Sequence, residues 1–286
     1  MEQILPVYSA PWAPPLPVTT IIPPKETAVE VLNEFLADAE YTESTWFTDG
    51  SLLEGSAGGA AVQIVREKVV ARILIPLGAG QVAEGEIEGI LRATEHALIT
   101  GAEHILIVSD SQAGLKAVLS TAACAGQSRA ILYDKLVHAA MVTLPSLRII
   151  NLWTPAHIGT VGNEHADDAA KAATRHPAPP STRISLTTCK RQIDLLILDR
   201  WKRLWAVATT GRGLRAIDNS PPSLILRSPY DSFAARADIT LLSRLRTDFS
   251  ALNAHRFRSR LALSPACDAC GAPQETCSHY LLHCPA

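Results

Sequence analysis

Thr45-Trp46-Phe47-Thr48-Asp49-Gly50-Ser51 opens the stretch that decides the fold: a short β-prone run, Trp46 to Thr48, that stops at an acid, a glycine and a serine. Two more β-rich runs follow, Ala60–Val65 and Val69–Ile75, parted by the charged turn Arg66-Glu67-Lys68. Turn signals at that spacing predict a three-strand antiparallel meander. Residues 82–100 then place Ile87, Ile90, Leu91, Ala97 and Leu98 at helical spacing, and Ile105–Val108 reads as a buried strand ending at Asp110. Gln112–Leu119 and Arg129–Leu144 read as helices, Arg148–Trp153 as a fifth strand and Asn163–Thr174 as an alanine-rich helix. The order βββαβααβα predicts an α/β domain whose mixed five-stranded sheet, three antiparallel then parallel strands, is flanked by helices.

Outward from this core the composition changes. Residues 6–24 hold seven prolines and read as an extended linker; residues 26–40 place Val29, Leu32, Phe35 and Leu36 at helical spacing. Pro177, Pro179 and Pro180 break the chain on the other side, before helical stretches near 189–207 and 238–261. Four regions are therefore expected: a Pro-rich linker and short helix over 1–40, the α/β domain over 41–176, a basic helical segment over 177–260 and a Cys/His tail over 261–286.

The chain has 286 residues, 47% of them hydrophobic, too apolar a composition for a wholly disordered protein. Its formal net charge of -2 is an average over unequal parts: -5 for residues 1–40, -4 for 41–182, +9 for 183–260 and -2 for 261–286. Such asymmetry points to a polyanion partner for one part of the chain. Apolar runs such as Ile105–Val108 are far shorter than the roughly 20 residues of a membrane span. The start, Met1-Glu2-Gln3-Ile4-Leu5-Pro6, lacks the basic and apolar regions of a secretory signal. Four of six cysteines crowd the last 20 residues, which reads as a metal site in a reducing compartment. The expected setting is intracellular, nuclear or cytoplasmic, with no membrane partner and no secretion.

Four acids sit where chemistry needs them: Asp49 after the first strand, Glu86 in the first long helix, Asp110 after the fourth strand and Asp167 in the last helix. If the first and fourth strands are neighbours, Asp49 and Asp110 leave the sheet at one end, and the helices bring the other two toward them. Converging carboxylates repel unless a cation lies between them, and hard oxygen ligands suit Mg²⁺ or Mn²⁺. Two such ions form a site that cuts phosphodiesters. Spacing alone leaves Glu84 and Glu88 as alternatives to Glu86.

The motifs Thr48-Asp49-Gly50-Ser51, Glu86-Ile87-Glu88-Gly89-Ile90, Val108-Ser109-Asp110-Ser111-Gln112 and Trp153-Thr154-Pro155-Ala156-His157 through Asn163-Glu164-His165-Ala166-Asp167 resemble, in order, those of type 1 ribonuclease H across about residues 44–175. That resemblance implies an endonuclease that cuts the RNA strand of an RNA–DNA hybrid. It implies two metal ions held by Asp49, Glu86, Asp110 and Asp167. The family's register around the helix acid selects Glu86 over its neighbours and, in the last helix, Asp167 over Asp168. His157 matches a mobile histidine linked to proton transfer or product release, with Gly159 and Gly162 expected to free its loop. Ser51, Gln112 and Asn163 match positions at the substrate or the edge of the metal site. Val82, Ala83 and Gly85 replace polar residues common before the helix acid, and the basic protrusion of some members is missing. The domain, at -4, should therefore hold a polyanion weakly without help.

The +9 segment, where Arg200, Lys202 and Arg203 interleave with Trp201 and Trp205 and Arg244, Arg246, Arg256, Arg258 and Arg260 follow, is expected to supply that grip through phosphate neutralisation. Cys267-x₂-Cys270-x₈-His279-x₄-Cys284 has the ligand types and spacing of a small zinc site, with Cys277 and His283 spare. Single-stranded or structured RNA is a further partner expected of this tail. The tail resembles the zinc-knuckle-like element after the ribonuclease H domain of non-long-terminal-repeat (LINE-like) retrotransposon reverse transcriptases, and the chain is then a piece of such a polyprotein. A catalytically inactive or domesticated nucleic-acid-binding protein is the alternative.

Overall fold

The computed structural model describes residues 2–6, 12–156, 159–209 and 236–286, and it divides into two compact units, Met1–Gln192 and Ile193–Ala286. In the first unit β1 (Val18–Ile21), β2 (Thr45–Leu53), β3 (Ser56–Val65), β4 (Lys68–Gly78), β5 (His104–Ser109) and β6 (Arg148–Trp153) form one sheet in the order β1-β6-β5-β2-β3-β4. The meander β2-β3-β4 is antiparallel, and β2-β5, β5-β6 and β6-β1 are parallel. The mixed α/β architecture is the one expected, with a sixth strand added.

That strand lies inside the stretch read as a linker. Val18-Thr19-Thr20-Ile21 runs between prolines, and the Pro17 carbonyl accepts the Ile149 N–H at 2.9 Å. It sits at the sheet edge, where prolines cost no ladder hydrogen bond. The proline count concealed four residues of good β chemistry.

Side-chain alternation along the central strands fills both faces of the sheet. Trp46, Ile105, Ile107 and Ile149 pack on one face against α2 (Val82–Ile99), α3 (Gln112–Ala117) and α4 (Gln127–Thr143), through Ile90, Leu115, Tyr133 and Val137. Phe47, Leu106, Val108 and Leu152 fill the other face with Leu32 of α1 (Ala28–Ala37) and Ala166, Ala169 and Ala170 of α5 (Val161–Ala173). The small alanine side chains let α5 lie close on the sheet: a Cβ on Gly58 would stand 2.8 Å from the Ala170 carbonyl oxygen.

The first unit extends past the proline break. The Thr188 hydroxyl donates to Glu84 at 2.9 Å, and the Glu2 carboxylate accepts from the backbone N–H groups of Leu186 (2.6 Å) and Gly126 (3.0 Å). Residues 177–192 therefore pack with the α/β domain, and α6 (Leu186–Val207) spans the boundary between the units.

In the second unit the helix expected over 238–261 is two helices, Arg236–Thr247 and Asn253–Arg258. Asp248 separates them with φ of 54°, a left-handed conformation that aspartate tolerates better than most residues. A π-helical turn, His279–His283, precedes Cys284. Among the described residues no helix is long and apolar enough to cross a membrane.

Candidate active site and Cys/His centre

The parallel pairing of β2 and β5 ends at Thr48 opposite Ser109. Asp49 and Asp110 are the next residues on each chain, so both leave the pairing at one end of the sheet. Asp49 is not the end of its strand, because β2 goes on to pair with β3 as far as Leu53. The indole Nε1 of Trp153 donates to the Asp110 carbonyl at 2.9 Å and ties that segment to β6.

Glu86 arrives because α2 lies unusually close to the strands. A Cβ on Gly50 would stand 2.6 Å from the Val82 carbonyl oxygen, and one on Gly85 would stand 2.4 Å from that of Gly58. Only glycine at the contact permits that approach. Glu86 is 6% exposed, and carboxylate oxygens of Asp49, Glu86 and Asp110 all lie within 4.8 Å of one another.

The structure also separates Glu86 from its neighbours. Glu84 makes a capping box with Gln81 at the start of α2 and accepts from Thr188. Glu88 accepts from Nε of the buried Arg129 at 3.0 Å. Each is engaged elsewhere, and Glu86 alone of the three joins the acidic cluster.

Crowding and burial show in the acids' proton affinities. Burial, then the charge of Asp110, pushes Asp49 up from 3.8 to about 7, against the pull of the Gly50 N–H that donates to its Oδ1 at 2.8 Å. Burial, then Asp49 and Asp110, pushes Glu86 up from 4.5 to about 9. The buried Glu86 Oε2 has no hydrogen-bond partner among the described residues. A buried carboxylate oxygen without a donor, beside two more carboxylates, fits a hard divalent cation.

A cavity of about 390 Å³ covers the three acids and is also lined by Thr160, Asn163, Glu164 and Asp167. Asp167 lies outside the tight cluster, and its Oδ2 accepts from Lys171 Nζ at 2.6 Å. Asn163 donates through Nδ2 to Thr154 Oγ1 at 2.8 Å, while its buried Oδ1 has no hydrogen-bond partner among the described residues. Ser51 and Gln112, both partly buried, are not among the lining residues. His157 lies outside the described residues. Gly159 has φ of 77°, as a loop glycine would, whereas Gly162 is buried in α5 against the ring of Phe47 and serves packing. Glu164 was not picked out from the sequence; its place one turn before Asp167 on α5 was the available signal.

In the second unit the ligand atoms of Cys267, Cys270, His279 and Cys284 lie within 4.8 Å of one another. The sulfurs of Cys267 and Cys284 are 3.9 Å apart, and Cys270 Sγ is 3.2 Å from His279 Nε2. Tetrahedral zinc with bonds of about 2.3 Å separates sulfur ligands by roughly 3.8 Å, so the group fits that ion. The N–H of Cys270, foremost among several donors, draws the Cys267 thiol down to about 7. Cys277 stands apart, its thiol raised by burial and its backbone N–H directed at Asp248, and His283 is likewise outside the group.

Residues 41–175 match the family RNase H. No curated protein matches the chain. Among solved structures, the foamy viral protease–reverse transcriptase in complex with RNA/DNA hybrid is 22% identical (TM-score 0.38), covering 47% of this chain and 20% of its own. This chain thus spans about a fifth of that viral protein's length. The N-terminal RNase H domain of a Mycobacterium tuberculosis protein is 22% identical (TM-score 0.36), covering 46% of this chain and 97% of its own. RNase H1 from Halobacterium salinarum is 20% identical (TM-score 0.33), with coverages of 45% and 95%. The match to the RNase H family thus falls on the residues, somewhat less than half of the chain, that form the sheet and bring Asp49, Glu86 and Asp110 together.

Proposed function

We propose that the chain hydrolyses the RNA strand of RNA–DNA hybrids, leaving a 3′-hydroxyl and a 5′-phosphate, with two Mg²⁺ or Mn²⁺ ions held by Asp49, Glu86, Asp110 and Asp167. The observation that carries this reading is the meeting of Asp49, Glu86 and Asp110, from three separate elements, around a buried and unpartnered Glu86 oxygen. When bound, the ions supply an activated water and charge stabilisation at the leaving oxygen. Asp49, Glu86 and Asp110 hold the ions and fix where the scissile phosphate sits. Asp167, which also lines the cavity, would join them as a ligand if released from Lys171. The Asn163 side chain, anchored on Thr154, lines the cavity and positions that wall of the site. His157, four residues before α5 in sequence, takes up or delivers the proton as product departs, the role its match to the family motif implies.

The basic residues after the domain supply salt-dependent affinity for the hybrid backbone. The Cys/His centre holds one Zn²⁺, in a reducing intracellular compartment that keeps its thiols free. The order of a Pro-rich lead-in, the RNase H domain, a basic segment and this centre supports derivation from a retrotransposon reverse transcriptase polyprotein.

The test is cleavage of an end-labelled RNA–DNA hybrid in Mg²⁺ by the chain and by its Asp110→Asn form. The first should cut and the second should not. If neither cuts while both bind the hybrid, the chain is a binding protein and the catalytic reading fails.

A further inference from the structure

The second unit sets exposed aromatic rings among its arginines, a feature that backbone contact with a hybrid does not use. Residues 236–260 carry six arginines against two acids, while 261–286 carry no lysine or arginine and two acids, Asp268 and Glu275. Both of those acids are spent on the helix Asn253–Arg258. Asn253 donates through its backbone N–H to Glu275 Oε2 (2.7 Å) and through Nδ2 to Asp268 Oδ2 (3.0 Å) and the Ala266 carbonyl (2.9 Å). Ala254 N–H donates to the Glu275 carbonyl at 3.3 Å.

The first amides of a helix have no partner within it, and a helix this short does not persist alone in water. Here the cap comes from the loop that carries the Cys/His ligands. Its shape is set by Cys267 N–H to the Ala272 carbonyl, Gly271 N–H to the Cys267 carbonyl and Glu275 N–H to the Pro265 carbonyl, at 2.9, 2.9 and 2.8 Å. A cation joining Cys267 and Cys270 to His279 and Cys284 closes that loop on both sides of Glu275. At the other end of the helix, Asp248 accepts from Arg258 at 2.6 Å and from the Cys277 N–H at 3.5 Å.

The fastened segment turns aromatic rings and cations to solvent. Phe249 is 65% exposed and lies 4.3 Å, centroid to centroid, from the ring of His255; Phe257 is 46% exposed. Arg256, Arg258 and Arg260 are exposed among them. Accessible aromatic faces interleaved with arginines match a single strand, whose unpaired bases stack while its phosphates meet the cations.

We propose that Phe249–Arg260 is a stacking platform for single-stranded nucleic acid, held in shape through Glu275 and Asp268 by the metal at Cys267, Cys270, His279 and Cys284. The proposal rests on the zinc reading of that centre. It differs from direct contact by the Cys/His loop, which has no basic side chain to meet a phosphate.

The test uses the full chain loaded with zinc, a labelled twelve-uridine single strand, and zinc content measured on every sample. Phe249→Ala and Phe257→Ala should each retain one zinc per chain and weaken binding about tenfold. Arg256→Gln should reduce the slope of log affinity against log salt by roughly 0.7. Glu275→Gln should keep its zinc and still lose affinity, and the parent chain stripped of zinc by chelation should lose affinity too. Unchanged binding by both phenylalanine variants with zinc retained overturns the platform and leaves the zinc site standing. Binding indifferent to chelation overturns the coupling, and a chain that takes up no zinc overturns both readings.

Discussion

Lys171 makes a half-exposed ion pair at 2.6 Å with Asp167, which lines the acidic cavity. An ammonium group on the fourth carboxylate competes with any ion that needs it. Replacing Lys171 by Met should leave the urea midpoint nearly unchanged, because exposed pairs contribute little. It should lower the Mg²⁺ concentration at half-maximal hybrid cleavage, measured by titration at fixed ionic strength. The raised proton affinities of Asp49 and Glu86 lead to a second expectation. Between pH 4 and 7 the folded chain holds a proton on Asp49 that the unfolded chain has lost, and for Glu86 the window extends toward 9. Stability without metal must therefore fall as pH rises through that range. Thermal unfolding in chelator should give a higher midpoint at pH 5 than at pH 8, and Mg²⁺ should narrow the gap by stabilising the ionised cluster.

At the scale of elements, the contact of α2 with β2 and β3 decides whether Glu86 reaches its partners. Gly85→Ala forces a Cβ to within 2.4 Å of the Gly58 carbonyl oxygen, so helix and strand must part. The expected cost is about 1–3 kcal/mol, read as a lower urea midpoint, with cleavage falling far more than stability. Gln81→Ala removes the capping box at the start of the same helix and should cost about 1 kcal/mol. The alternating residues of β2, β5 and β6 made these strands legible, since a sheet buried on both faces demands apolar residues on each. β1 was not legible, because four residues among prolines carry no periodicity long enough to read. The break at Asp248 was equally hidden, since it depends on Arg258 and Cys277, ten and 29 positions away.

For the whole molecule, the division after Gln192 separates residues that local composition had grouped together. Thr188, Leu186 and Arg183 complete the first unit through Glu84, Glu2 and Arg129, so a chain ending at 192 should keep those bonds and one ending at 176 should lose them. The shorter form should melt several degrees lower, with a loss of about 2 kcal/mol from three buried or partly buried polar links. The longer form should cleave the hybrid with weaker, less salt-dependent affinity than the full chain, as measured by binding at several salt concentrations.

The sequence by itself pointed to the α/β order, the acids at Asp49 and Asp110 and the Cys/His spacing, because strand ends and short ligand motifs are local features, whereas Asp167 over Asp168 rests on the family register. The choice of Glu86 over Glu84 and Glu88 follows from the sequence only through a family register. In the structure it has a physical cause: glycine contacts bring α2 down on the sheet, while a cap and a buried arginine engage the other two. Tertiary structure alone decided that Asp167 is held by Lys171 and that Gly162 packs against Phe47. Each depends on what stands opposite a side chain in space, which spacing along the chain does not encode.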